Sequence, residues 1–384
     1  MEGSIRVKSR WAMGRVVPRL VLLACLGDVG MRLERVDPWT FRAWEALSAY
    51  RSPAAPFEAS RRYYKADSYG DLAALGNLPE LRQYRPELFT TDPLGFRNRT
   101  DAGSRPPAAI VVGDSFAVGS GVSDDETVTS RLSALLGCPV YNAGGIDPDP
   151  DRILALARKL GLTRGVVVHQ YAEDFEMPAA PSEGRRRYQR ALAALDPRIG
   201  ALVGRVRGML TVSPLQIASE RALKGLEDGR LLPNRYVGRV VRGRLANGDP
   251  MLFLGYFFGK FYQKREVPTA YWAWLQKELR AGGLELAVVI VPSAYRVYRP
   301  FLVEPKPAPE RAVDDYPGRV EDELRRAGIP ALNLTAVLSA SAAQRLPERG
   351  YLYWRDDIHW NAEGTEVAAS AIHDGLRDQL RCRP

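Results

Sequence analysis

Hydrophobic positions along this chain alternate between two periods. Ala108-Ala109-Ile110-Val111-Val112 is a short unbroken apolar run, the pattern of a strand buried on both faces of a parallel sheet. Cys138–Asn142, Gly165–His169, Leu284–Val291 and Ala331–Leu334 repeat that pattern. Between them, Thr127–Leu136, Arg152–Leu160, Val313–Ala327 and Ala362–Leu380 place apolar residues at helical spacing. Ser123-Asp124-Asp125-Glu126 has the Ser-x-x-Glu of a capping box, which sets a helix start near Ser123. Strand and helix in alternation predict an α/β fold, a three-layer α/β/α open parallel sheet of flavodoxin-like type.

Two stretches break the rhythm. Residues 37–107 are rich in Pro, Gly, Tyr and Arg, and read as an irregular leader with short strands. Residues 178–280 read as a mostly helical insertion, with Arg185–Leu195 and Thr269–Ala281 as its helices and an aromatic run over Phe253–Phe258. The catalytic domain would then be 108–177 and 281–384. The insertion would be a lid, a glycan-binding surface or a docking face, with Tyr256–Phe261 as the surface for a partner or for stacking. At the N-terminus, residues 1–36, Arg6, Lys8, Arg10 and Arg15 precede the apolar run Val16–Gly27. That is the layout of a signal peptide or signal anchor. Arg19 and Asp28 interrupt it, leaving it shorter than the ~20 apolar residues of a comfortable span. Leu22-Leu23-Ala24-Cys25 loosely matches a lipoprotein-processing box. The expectation is a periplasmic or otherwise extracytoplasmic protein, associated with the inner membrane through this segment.

Composition changes the picture little. The 384 residues are 46% hydrophobic and 26% charged, enough for a sizeable core. The net charge of +9 comes from 54 Lys and Arg against 45 Asp and Glu, many of them Arg in an Ala-, Gly- and Pro-rich chain. No basic stripe is interleaved with aromatics, so nucleic acid is not the expected partner. Cys25, Cys138 and Cys382 lie far apart with no C-x-x-C spacing, which argues against a zinc site and a disulfide framework. They read as buried or incidental thiols.

The candidate chemistry rests on few residues. Ser115 follows the first buried strand directly, in Gly113-Asp114-Ser115, where open α/β sheets bind ligands. A serine there is often only a helix cap, but Ser123 fills that role. Of the three histidines, His169 ends a strand and His373 lies on a helix, positions suited to packing. His359 lies in Trp354-Arg355-Asp356-Asp357-Ile358-His359-Trp360-Asn361-Ala362-Glu363-Gly364, a loop before a helix with carboxylates two and three positions upstream. A serine becomes nucleophilic when a base takes its proton and a third group orients the base.

Gly113-Asp114-Ser115-Phe116 and the later Asp-Ile-His-Trp-Asn-Ala-Glu-Gly resemble the first and last blocks of the SGNH (GDSL-like) hydrolases. Tyr141-Asn142-Ala143-Gly144-Gly145 resembles their second block, and Val166–Phe175 occupies the place of the third. Thr91–Asn98 is similar to a Gly-Phe-Arg segment that precedes Gly-Asp-Ser in many bacterial members, and Val289–Tyr298 to a V-P-x-x-x-x-V-Y segment of exopolysaccharide-associated ones. The resemblance spans roughly 60–175 and 284–380, and D-x-H-W-N points to the branch resembling alginate O-acetyltransferases.

The resemblance implies Ser115 as nucleophile and His359 as its base. The orienting acid is Asp357 by the D-x-H pattern, or Asp356 by the D-x-x-H of simpler members. An oxyanion hole would use the Ser115 amide, a block-two glycine and a block-three asparagine. Asn142 opens the second block, and where its glycine is often found this chain has Asp147, so Gly144 or Gly145 would substitute. Glu173 stands where the third-block asparagine is expected and should border the same pocket. An ionised Glu cannot donate a hydrogen bond. The function implied is O-acyl, most simply O-acetyl, transfer to an extracytoplasmic polysaccharide, with a membrane-bound O-acyltransferase as the source of the acyl group. A secreted carbohydrate or lipid esterase and a degenerate non-catalytic glycan-binding module are the alternatives. No metal or cofactor is implied.

Overall fold

The computed structural model describes residues 3–31, 40–48, 51, 55–99, 105–177, 213–233, 240–255, 258–304 and 313–382. The predicted helix Arg185–Leu195 lies outside them. The chain opens with α1 (Gly3–Met31), α2 (Ala43–Ser48), β1 (Arg62–Ser68), α3 (Asp71–Leu75) and β2 (Arg85–Thr90). Then come β3 (Ala109–Gly113), α4 (Ser115–Val118), α5 (Val128–Leu136), β4 (Val140–Gly144), α6 (Pro150–Lys159) and β5 (Gly165–Ala172). Among the described residues no helix, α1 included, is long and apolar enough to cross a membrane.

Strands β3, β4 and β5 join β8 (Leu284–Val291) and β10 (Ala331–Asn333) in one parallel sheet of order β10-β8-β5-β3-β4. Every residue of β3 and β4 is buried, as the unbroken apolar runs require. On one face, Val111, Val168 and Val289 pack under α5, Thr335–Arg345 and Ala362–Gly375. On the other, Ile110, Val167 and Ile290 meet α6, Thr269–Ala281 and Tyr316–Arg326. The predicted strands agree with the observed ones to within a few residues. Helix Thr335–Arg345, with only Leu338 and Ala342 buried, escaped notice because its apolar stripe is thin.

Where it is described, the stretch 178–280 carries helices, as expected, and also two strands that the sequence did not announce. Strands β6 (Val240–Leu245) and β7 (Pro250–Leu254) form a hairpin, extended by β9 (Leu302–Glu304), beside helix Pro214–Asp228. Helix Thr269–Ala281 belongs to the covering layer of the main sheet, because its Trp272, Leu275 and Leu279 are fully buried there. The aromatic run is likewise no open surface among its described members: Phe253 and Phe261 are buried and stack on Tyr295. The reading of the thiols needs correction too. Cys138 and Cys382 form a disulfide, their Cα atoms 5.8 Å apart, while Cys25 is free and exposed.

Candidate active site

Each motif residue has a local physical reason for its place. Asp114 caps the short helix α4, its carboxylate accepting from the Phe116 amide at 2.8 Å. Ser115 is therefore the first helical residue, and its own amide has no acceptor within that turn. Burial pushes the Asp114 carboxyl up to about 6. The loop after α4 is clamped by Arg97 of the Gly-Phe-Arg segment, whose guanidinium donates to the carbonyls of Gly119, Val122 and Leu88.

The histidine loop is built the same way. Trp360 is buried against Phe116 and Tyr353. Asn361 caps helix Ala362–Gly375, its side chain accepting from the Gly364 amide at 2.9 Å. Gly364 lies so close to Leu352 that a Cβ would stand 1.9 Å from the Leu352 carbonyl oxygen. The Val-Pro segment supports the loop from below: Tyr353 donates to the Pro292 carbonyl at 2.6 Å, and Tyr298 accepts from the Leu352 amide at 2.9 Å.

These elements bring Ser115 and His359 together. His359 Nε2 lies 2.6 Å from Ser115 Oγ, and Nδ1 lies 2.9 Å from Asp357 Oδ1. With a carboxylate at Nδ1, the ring proton sits there and Nε2 keeps its lone pair for the serine hydroxyl. Asp356 points elsewhere. Its carboxylate accepts from the Gly70 and Gln83 amides at 2.6 and 2.9 Å and pairs with Arg85 at 3.0 Å. Of the two candidate acids, Asp357 is the one in contact with the imidazole.

The irregular leader supplies three residues that sequence reasoning missed. Arg42 is fully buried and contacts Asp357, Asp71 at 3.2 Å and His359 Nδ1 at 3.4 Å. Arg85 reaches Asp357 at 2.8 Å and stacks on Trp354 at 4.1 Å. Asp71 places a second carboxylate oxygen 3.3 Å from His359 Nδ1. Burial raises the Asp357 carboxyl, but Arg42, His359 and Arg85 outweigh it and hold the group well below the usual carboxylate range. Burial opposes the charge on Arg42, yet Asp357, Asp71, Glu87 and Asp356 keep it more basic than usual. Burial raises the Asp71 carboxyl despite Arg42. Asp71, Asp357 and His359 have ligand atoms within 4.8 Å of one another, a spacing that suits a metal ion. The Arg42 guanidinium touches all three, so a cation of the chain's own already serves those carboxylates.

The candidate oxyanion donors have other partners. The Gly144 amide donates to Asn142 Oδ1 and the Gly145 amide to the Gly113 carbonyl, each at 2.8 Å. The Asn142 side-chain amide is turned inward to Val118 and Thr129. Glu173 has no exposed surface and does not line the serine's cleft. It accepts from the Ser293 amide and hydroxyl at 2.8 and 2.9 Å and pairs with Arg296 Nε at 2.7 Å. A buried carboxylate requires such a counter-charge, and Arg296 draws it away from the serine.

Ser115 opens on a cleft of about 470 Å³. Its walls include Trp44, Phe57, Gly145, Asp147, His169 and Phe175. The arrangement is suited to acyl transfer through a serine, with a buried base and room for a ligand.

Comparison with known proteins agrees with this fold. Residues 263–383, which carry the histidine loop, match a family described as "SGNH hydrolase-like domain, acetyltransferase AlgX". A probable alginate O-acetylase AlgJ of Pseudomonas putida is 33% identical over 101 residues, 26% of this chain and 24% of that protein. Its counterpart in Pseudomonas syringae pv. tomato is 34% identical over 94 residues, 24% of this chain and 22% of that protein. The match thus spans about a quarter of the length of these curated relatives. A solved carbohydrate acetylesterase family member from Sinorhizobium meliloti aligns at TM-score 0.28 with 14% identity, over 71% of this chain and 98% of that one, too loosely to add to the argument. In its motifs, its parallel sheet and the matched C-terminal region, the chain is similar to SGNH hydrolase-like proteins of the alginate O-acetyltransferase-like branch.

Proposed function

We propose that the protein is a serine O-acyltransferase that moves an acetyl group to a hydroxyl of an extracytoplasmic polysaccharide through an acyl-serine. The observation that carries this reading is the unbroken chain Ser115 Oγ, His359 Nε2, His359 Nδ1, Asp357 Oδ1, which starts at a serine lining the cleft. Ser115 Oγ attacks the donor's acetyl carbon and gives its proton to His359 Nε2. That proton leaves with the donor's departing oxygen. A glycan hydroxyl then attacks the acyl-serine, its proton passes to His359, and Ser115 Oγ takes it as the ester bond breaks. Asp357 steadies the imidazolium in both halves, and Arg42 and Arg85 keep Asp357 ionised.

The disulfide between Cys138 and Cys382 supports an oxidising, extracytoplasmic site, and so does the basic-then-apolar N-terminus. Coenzyme A esters are scarce there, so the acetyl group would arrive from a membrane-bound O-acyltransferase or another ester. The test uses p-nitrophenyl acetate with and without added oligosaccharide. We expect Ser115 to be labelled by a fluorophosphonate, p-nitrophenol to be released faster with acceptor present, and Ser115→Ala to abolish both. Release that acceptor does not alter makes water the acceptor and the protein an esterase. No label at Ser115 refutes a serine mechanism.

A further inference from the structure

His169 combines a fixed hydrogen bond with a place in the wall of the cleft. It lies on β5 beside Val112 of β3, on the sheet face covered by helix Thr269–Ala281. Its Nδ1 accepts a hydrogen bond from the Trp272 indole at 3.1 Å. An indole nitrogen only donates, so Nδ1 must present a lone pair, and the proton of a neutral imidazole must then sit on Nε2. Burial alone lowers the ring's pKa to about 3, with no charged group contributing, so the ring stays neutral at working pH. The titratable ring nearest on its own strand is Tyr171, with centroids 6.1 Å apart, and its hydroxyl is engaged by Phe175 and Tyr316. Among the described residues the Nε2–H meets no protein acceptor, although His169 is only 3% exposed. The residue lines the same cleft as Ser115. The Nε2–H keeps access to the cleft, so a ligand bound there can accept from it.

We propose that His169 is a ligand-positioning residue whose Nε2–H, held by Trp272, donates a hydrogen bond to an uncharged oxygen of the molecule bound against Ser115. This rests on the acyl-transfer reading of the cleft. The oxygen is uncharged because the walls also carry Asp114, Asp147 and Glu176, against Arg51 and the Lys260 that pairs with Glu176. A carboxylate ligand would meet those acidic groups, whereas a hydroxyl or an ester carbonyl would not. His169 cannot be a second base, since its one free nitrogen is already protonated.

The chain has three histidines, so a ¹⁵N-histidine spectrum resolves the question directly. One ring should keep the neutral Nε2–H signature from pH 5 to 9, vanish in His169→Phe, and begin to exchange tautomers or titrate in Trp272→Phe. For p-nitrophenyl acetate, His169→Phe should raise KM about tenfold with little change in kcat, and His169→Gln, with an amide near the Nε2 position, should restore most of it. If only the KM of an added oligosaccharide rises, the partner oxygen is the acceptor's hydroxyl rather than the ester carbonyl. A His169 ring that titrates near 6.5, or a folded His169→Phe with both KM values unchanged, overturns the proposal. The tautomer is read without turnover. An unreactive Ser115 with a locked Nε2–H refutes only the reaction, and a reactive Ser115 with a titrating His169 refutes only the donor.

Discussion

Replacing Asp357 by Asn separates the roles of the two adjacent carboxylates. Asp357 Oδ2 faces Arg42 and Arg85, which only donate, so the amide oxygen of the introduced side chain must occupy that side. Its NH2 then faces His359 Nδ1, where a donor now meets a donor. The imidazole responds by moving its proton to Nε2, and Nε2 can no longer accept from Ser115. In triads of this kind such a tautomer change costs ~10⁴ in kcat. Here Asp71, 3.3 Å from Nδ1, competes to hold the proton in place. The expected loss is therefore about 10²–10³, or roughly 3–4 kcal/mol of barrier. Asp71→Asn alone should lose less than about tenfold, and the double variant should approach ~10⁴.

Asp356→Asn should behave differently. Its one remaining carbonyl oxygen can serve either the Gly70 and Gln83 amides or Arg85, so one of those contacts is lost, at about 1–3 kcal/mol of stability, with kcat within about tenfold of the parent. Steady-state hydrolysis of p-nitrophenyl acetate reads the kinetics, and urea denaturation reads the stability. The pH dependence has a fixed sign. Asp357 is held below its unfolded pKa, so its stabilisation is present above the ordinary carboxylate range near pH 4 and is lost as pH falls below it. Asp357→Asn should flatten that acid limb. An Asp357→Asn protein with kcat within about fivefold of the parent, or an equal fall in Asp356→Asn, refutes the assignment.

Three further substitutions follow from the same structure. Cys138→Ser should lower stability by about 2–5 kcal/mol, and only Cys25 should alkylate in the unreduced parent; alkylation at all three thiols would rule the bond out. Gly364→Ala drives a methyl into the Leu352 carbonyl and should cost about 2–3 kcal/mol by thermal melting, with an unchanged melt contradicting the close approach. Glu173→Asn strands Arg296 and should destabilise by about 3–5 kcal/mol without raising turnover; faster hydrolysis would return Glu173 to the oxyanion site.

Elements whose structure is decided locally were readable in the sequence. The strands of the parallel sheet are continuous apolar runs, and helix Thr269–Ala281 has the predicted bounds. That Ser115, His359 and Asp357 lie in contact was legible in short motifs whose residues cap, stack and turn the chain within a few positions. What was not readable depends on distant pairing. Glu173 was aligned as a cleft residue, but its partner Arg296 lies 123 positions away. Gly144 and Gly145 were offered as free amides, yet each already donates within the sheet edge. Cys138 and Cys382 are 244 positions apart, and no spacing rule relates them. His169 was read as a packing residue because nothing in the sequence tells which of its nitrogens Trp272 engages.

The leader carries the largest such lesson, and it changes where the catalytic unit begins. Residues 37–107 offer little periodicity because their work is electrostatic. Arg42 and Arg85 face two buried carboxylates of the histidine loop, and the amides of Gly70, Leu72 and Ala73 satisfy the Asp356 carboxylate and carbonyl. A buried ion pair that loses one partner costs about 3–5 kcal/mol, since the remaining charge has no water to turn to. A catalytic domain beginning at residue 108 would lose both cations at once and leave Asp356 and Asp357 buried side by side. Like charges so placed cannot both stay ionised in a dry site. The acid beside His359 would then take up a proton, and the imidazole would lose the negative charge that steadies its protonated form. Although it lies outside the main sheet, the leader therefore holds the charges on which the proposed role of Ser115 depends.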